Sequence, residues 1–491
     1  MKIFKKTALC ICSCLLLWGG VACQPTPEQP VVVQRSALEE KNAETPENAP
    51  PKDTYDAPEH WTDTIERGNV TVSVDTDVIL PDVTQYPVTI LEPMMFSHKR
   101  VDELVNYFAG DNKLFCYPSI FTKADYQEML IRARRGQVID GEYVVNEATE
   151  RYAESIEEKI ADATEDSVRV YTDDTTFTYN TDLEGNVEYE AGPNYLSVGV
   201  EFEDGNEATI IAQNFIEGYG NSTRFSFRRI GGYTKETFYQ EYLTYGDESE
   251  YGFDGYGKIF ESIDLDIDAA KAQALRIISD LGIEDMALVN EEKAVFKSMG
   301  NKYGVSNNQP SRGGYVFEYV RSSGGISGFQ LTSFSSRQPS DYSPPYFQEM
   351  LTICVSKSGI VEFSWSSLAQ VVEIVSENVT LLPFKDIRQA LVDQIYYERV
   401  PIVEENNASD AVEVFGEMAI TVNVLSAELR VGYIRVKDNT RQAMLVPMWV
   451  FETSEMHEFG DEKGDAFRGK TYQFNAIDGG TITPSRGAVA P

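Results

Sequence analysis

Residues 471–483 read TYQFNAIDGGTIT. Tyr472 and Phe474 alternate with polar neighbours as a half-buried strand does, Asn475 to Gly480 carry turn chemistry, and Ile482 resumes the apolar register. This is the grammar of a tight hairpin, and its surroundings decide the fold. Upstream, FKDIRQALVDQIYY (384–397) sets Ile387, Ala390, Leu391 and Ile395 on one helical face. The extended runs LRVGYIRVK (429–437) and LVPMWVFE (445–452) follow it. One helix followed by antiparallel strands is thus predicted for the last 120 or so residues.

The same order occurs earlier. DIDAAKAQALRIISDLG (266–282) places Ile267, Ala270, Ala274, Ile277, Ile278 and Leu281 on one side, and Gly282 ends it. A strand GYVFEYV (314–320) and a hairpin LTICVSKSGIVEFSW (351–365) come next. Aligning Gly359 with Gly480 sets Leu351, Ile353 and Val355 against Tyr472, Phe474 and Ala476, and Val361 against Ile482. The expectation is an α+β fold of antiparallel sheets packed with helices, its C-terminal half a duplication of a helix-plus-antiparallel-sheet unit.

Toward the N-terminus, NVTVSVDTDVIL (69–80) alternates Val70, Val72 and Val74 as a strand. SHKRVDELVNYFAG (97–110) predicts a helix capped by Ser97, with Val101, Leu104, Val105 and Phe108 inward and Gly110 as the stop. TKADYQEMLIRARRG (122–136) repeats the pattern with Thr122 and Gly136. In NEATERYAESIEEKIADAT (146–164) the apolar series is Ala148, Tyr152, Ile156 and Ile160. Residues 167–260, rich in Gly and Tyr, read as antiparallel strands, with Asp204-Gly205 as a hairpin signal. Tyr233, Phe238, Tyr239, Tyr242 and Tyr245 there are either sheet packing or the lining of a sugar or peptide groove.

The first 60 residues are not part of a core. Lys2, Lys5 and Lys6 precede an apolar run from Thr7 to Trp18, too short for a membrane span of about 20 residues. Gly20, Val21 and Ala22 then lead into Cys23, and this stretch resembles a bacterial lipobox, departing from it in having Gly20 where the pattern has Leu. The resemblance implies cleavage before Cys23, acylation of its thiol, and anchoring of the mature chain to the outer face of the cell membrane. Residues 24–60 hold seven prolines with no sustained period and read as a flexible tether. The expected organisation is a signal peptide (1–22), a lipid-anchored tether (23–60), an α+β region (61–166), a β region (167–260) and two helix-plus-sheet units (261–370 and 371–491).

Composition narrows the function. The formal net charge is -36, with 78 acidic against 42 basic residues, which argues against nucleic acid and anionic head groups as partners. Beyond the leader only Cys116 and Cys354 remain. They either pair, with a stabilisation of about 5 kcal/mol from loop-closure entropy, or stay as separate buried thiols. The three histidines, His60, His98 and His457, show no metal-ligand spacing, and no nucleophile elbow or phosphate loop occurs. NTDLEGNVEYEA (180–191) puts Asn180, Asp182 and Glu184 at alternate positions with Gly185 sixth, but Ala191 stands where a calcium loop needs a bidentate Glu. The acidic loop 244–257, with Asp247, Glu248, Glu250 and Asp254, reads as solvated. No cofactor, metal or catalytic residue is therefore expected.

The helix, strand and NAIDGGTIT hairpin look like the PepSY-type fold and like regulatory proteins of Gram-positive sensor kinases built from similar units. Phe474, Asn475, Ala476, Asp478 and Gly479 supply that pattern, whereas Ser356 to Gly359 depart from it in the first copy. Taken whole, the chain resembles an uncharacterised lipoprotein family of anaerobic Gram-positive gut bacteria. The resemblance implies location and architecture but no activity. The leading expectation is a non-enzymatic, membrane-anchored binding or regulatory protein acting on an envelope protein; the alternative is a solute- or glycan-binding lipoprotein, and a carboxylate-based hydrolase ranks third.

Overall fold

The computed structural model describes residues 56–116, 122–139, 142–165, 170–177, 195–203, 207–214, 216–217, 220–221, 223–230, 240–244, 263–298, 310–329, 348–409, 416–436, 439, 441–460 and 462–482. The expected leader, Cys23, most of the expected tether, and residues 180–191 and 245–257 lie outside them. The fold is α+β: five helices and two large antiparallel sheets stand among the described residues. Two compact units form, one of Met1–Val78, Val379–Ala427 and Met448–Pro491, the other of Ile79–Asn378 and Glu428–Pro447. These units are discontinuous in sequence, whereas the sequence reading divides the chain linearly. Pairing between distant strands produces the difference, as in Asn69 donating to the Met418 carbonyl and Thr76 to that of Leu425.

In the second unit a ten-stranded antiparallel sheet runs in the order 240–244, 286–298, 310–321, 350–356, 359–366, 224–230, 207–213, 195–201, 113–116 and 170–171. Two helices lie on one of its faces. Helix α1 (His98–Ala109) starts where the Ser97 hydroxyl accepts from the Arg100 amide, and it stops at Gly110, whose φ of 55° suits only glycine well. It buries Val101, Leu104, Val105 and Ala109, while Phe108 stacks on Phe227. A second helix on this face, Ile267–Asp280, is capped by Asp266 and buries Ala270, Ala274 and Ile277. The facing sheet side chains include Val198, Ile210, Phe225, Phe317, Ile353 and Phe363. The small alanines let helix backbone approach the sheet closely, and the aromatics fill what remains.

Between these elements in sequence, helices α2 (Lys123–Arg135) and α3 (Glu147–Asp162) share a satellite core of Ala133, Ala153 and Ile156. Thr122 and Asp125 form a reciprocal capping box, as do Asn146 and Thr149. The inward face of α3 is Thr149, Ala153 and Ile156, while Tyr152 is exposed. A strict fourth-residue series drifts about 40° per step around a helix of 3.6 residues per turn, so Ala148 and Tyr152 rotate outward. In chain order, Ile267–Asp280 is α4.

In the first unit, helix α5 (Phe384–Asn407) extends ten residues beyond the predicted end, through Pro401. Proline removes one ladder hydrogen bond. Burial of Val403 and the Arg399–Glu455 ion pair hold the last turns in place. Phe384, Trp61, Trp449, Phe451 and Phe474 form one aromatic cluster, with Trp61 edge-on to Phe384 at 5.6 Å. The opening hairpin behaves as a turn: the Asn475 carbonyl accepts from Gly479, its Oδ1 accepts from the Ile477 amide, Asp478 Oδ1 accepts from Gly480, and Gly479 has φ 77°. The earlier hairpin differs. Ser356 pairs directly with Gly359 (φ 98°), and its return strand runs through Ser366, whereas among the described residues the later one returns as a bridge at Thr481. Both regions share the order of helix then antiparallel strands, but their hairpins are not copies of one geometry.

Candidate interaction surface

The chain leaves the ten-stranded sheet at a sharp corner. Ser367 takes a left-handed φ of 56°, a strained choice for a residue with a Cβ. Three hydrogen bonds fix the corner: Ser367 N–H to the Thr223 carbonyl (2.8 Å), Leu368 N–H to the Thr223 hydroxyl (3.0 Å), and Met94 N–H to the Leu368 carbonyl (2.8 Å). From there Ala369–Ser376 runs antiparallel to Val88–Pro93. Among the described residues no strand pairs along its other side, so it is the sheet edge.

This edge is apolar. Val371 and Val372 are each 44% exposed and Ile374 60%, with no Lys, Arg or Pro on the strand to blunt it. Val372 and Val375 sit at register shifts against 88–93, which twist the strand. Its root is anchored electrostatically. Arg321 donates through NH2 to the Ala369 carbonyl (2.9 Å) and through Nε to Glu349 (2.5 Å), and the Trp365 indole N–H donates to the other Glu349 oxygen at 2.8 Å. Burial pushes the Glu349 carboxyl up, against the pull of Arg321 and the two donors. With both oxygens accepting, the carboxylate form is the one this geometry holds.

Other buried charges are likewise occupied. Arg228 pairs with Glu362 at 2.9 Å. In the first unit Arg399 grips both oxygens of Glu455, and Lys470, Gln394 and Tyr472 all donate to Glu398. Burial pushes the Glu398 carboxyl up, yet its donors outweigh this and hold it below the usual range. Such pairs fix packing.

Cys354 is fully buried among Ala294, Phe296, Val316 and Val361, and burial pushes its thiol well up. Cys116 is half-buried, and both are free thiols. His60 lies between Asp77 and Asp75, His98 contacts Asp102 and accepts from the Phe177 amide, and His457 sits edge-on to Phe467. Among the described residues no group of three or more His, Cys, Asp or Glu is placed to hold a metal, and no helix is long and apolar enough to cross a membrane. Of the tyrosine-rich set, Tyr242 stands in the strand 240–244 opposite Phe296, and Tyr233, Phe238, Tyr239 and Tyr245 are outside the described residues. The edge strand itself escapes the sequence reading, which places a boundary at 370/371 inside it. Its signal is the β-branched run Val371, Val372, Ile374 and Val375.

No protein-family model matches the chain, and no curated protein matches it. Among solved structures it is similar to an uncharacterised protein from Eubacterium rectale, with TM-score 0.42 and 11% identity over 87% of this chain and 96% of that one. It is also similar to the YpeB C-terminal domain of Bacillus megaterium, with TM-score 0.23 and 8% identity over 59% of this chain and 92% of that one.

Proposed function

We propose that this chain is a lipid-anchored extracytoplasmic binding or regulatory protein, without catalytic activity, that acts on a protein of the cell envelope. The observation that carries the reading is the edge strand Ala369–Ser376, apolar on its open side and fixed at its root by Ser367, Leu368 and Arg321. A strand held in one conformation before its partner arrives spares the ordering entropy of binding. Two PepSY-like units fit the order of α4 with its following strands and α5 with its own. Acylation of Cys23 fits the leader, and the tether would hold the body about 30 to 40 Å from the membrane. Capture of a solute or glycan remains the second reading, motivated by the tyrosine-rich residues 233–245.

The test is crosslinking in intact cells, followed by recovery of the mature chain from solubilised membranes. One stoichiometric envelope protein is expected, together with a mass for the N-terminal peptide that includes acyl chains on Cys23. Absence of any partner across crosslinkers of different reach overturns the binding role. An unmodified Cys23 overturns the anchor.

A further inference from the structure

We infer that His60 is a proton-operated clasp on the open end of the hairpin that starts the first unit: the imidazolium closes this end, and the neutral ring lets it open. The device is carried by the pairing of His60–Arg67 with Val70–Ile79 and does not depend on the anchored reading. The chain reverses at Gly68 (φ 59°), so His60 lies at the end of the hairpin away from the turn, opposite Asp77. The strand His60–Arg67 has one neighbour among the described residues. Opening therefore starts at this end, where a bond from the Val78 amide to the Glu59 carbonyl (2.9 Å) extends the ladder. The next fixture inward is Trp61, buried and edge-on to Phe384 at 5.6 Å and to Phe451 at 6.2 Å.

Geometry makes the closure proton-dependent. Period-two alternation puts Asp75 and Asp77 on one face of their strand, roughly 7 Å apart along it. The His60 ring sits between them, with Nε2 2.8 Å from Asp75 and Nδ1 2.7 Å from Asp77. An imidazolium donates from both nitrogens, whereas the neutral ring has one N–H and turns a lone pair toward the other carboxylate. Loss of the proton thus removes one hydrogen bond and leaves the two carboxylates repelling each other without a cation between them. Asp77 and Asp75 are the titratable groups that act on His60, and their hydrogen bonds, Asp77 first, raise its pKa above 6.5. The closed hairpin binds the proton more tightly than the unfolded chain does. The clasp is therefore fully closed below 6.5 and is released as pH rises through the higher value. Trp61 and the ladder beyond it still hold, so the proton sets where the chain joins the sheet rather than whether the unit folds.

The experiment follows the Val78 amide by hydrogen exchange in the whole mature chain, residues 23–491, labelled with heavy-nitrogen valine and isoleucine. The Ile420 amide, which donates to the Asn69 carbonyl (2.9 Å) at the turn end of the hairpin, is the internal reference. After correction for intrinsic rates, Val78 should exchange about two- to fivefold faster once His60 is neutral, the size expected of exposed ion pairs. Ile420 should not change, and high salt should shrink the step by screening. Asp75→Asn and Asp77→Asn should each reduce the step and together abolish it. Both positions are solvent-exposed, and circular dichroism checks that the variants fold. A step that survives the double substitution overturns the clasp, as does a His60 titration, followed by NMR, with no change at Val78. An equal step at Ile420 overturns it too, because the whole hairpin would then respond to pH rather than its open end.

Discussion

The guanidinium of Arg321 donates to the carbonyl of Ala369 at 2.9 Å, joining the interior of the ten-stranded sheet to the first residue of the exposed edge strand. The same group neutralises Glu349, which is fully buried. Replacing Arg321 with Met leaves a buried carboxylate without its cation and frees the edge strand at its root. The expected loss is about 3–5 kcal/mol in urea unfolding. Glu349→Gln keeps an acceptor for Trp365 and should cost less. An Arg321→Met variant as stable as wild type would show that Glu349 is not held as an ion.

His60 gives a pH dependence of known sign. Its Nδ1 lies 2.7 Å from Asp77 and its Nε2 2.8 Å from Asp75, so both nitrogens donate only in the imidazolium form. The hydrogen bond with Asp77, then that with Asp75, raises its pKa above the ordinary 6.5. A raised folded-state value stabilises fully below 6.5 and loses that stabilisation as pH rises through the higher value. Amides of His60–Arg67 should therefore exchange faster, after correction for intrinsic rates, once His60 is neutral, and His60→Gln should remove the pH step. A titration midpoint at or below 6.5 measured by NMR would contradict this arrangement.

The turn at 475–480 should be sensitive to its glycine. Gly479 has φ 77°, and an added Cβ meets Leu382 Cδ1 at 3.4 Å. Gly479→Ala should cost about 1–2 kcal/mol from the left-handed backbone alone. Asn475→Ala removes the Oδ1 acceptor of the Ile477 amide inside the core and should cost about 1–3 kcal/mol. Thermal or urea unfolding measures both. A neutral Asn475→Ala would mean that the side chain does not organise the turn.

The thiols can be counted directly. Alkylation of the unfolded chain without reductant should label both Cys116 and Cys354, by intact mass. In the folded chain Cys116 should react first, because Cys354 is enclosed and its thiolate is disfavoured by burial. A single unlabelled pair in the unfolded, unreduced protein would establish a disulfide instead.

Local signals determined much of this molecule without any contact information. Ser97 and Thr122 are legible as caps because each bonds to the amide three residues on, a relation contained in a short window. Gly479 and Gly359 are legible as turns for the same reason, and Val70, Val72 and Val74 as an inward strand face. The length of α5 was not, because Pro401 marks a break locally while the pair of Arg399 with Glu455, 56 residues away, supports the last turns. The buried partners of Glu349 and Glu362 were likewise invisible, since Arg321 and Arg228 reach them only through strand pairing.

The edge strand shows where the division falls. Sequence alone determined that Val371, Val372, Ile374 and Val375 favour extended backbone. Only the tertiary structure decided that this strand has a neighbour on one side and none described on the other, because whether a backbone ladder is completed depends on distant strands. The proposed leader and the proposed acylation of Cys23 are the opposite case. A signal and a lipid attachment point are linear patterns, readable before any fold exists, whereas a surface that recognises a partner is made by the fold.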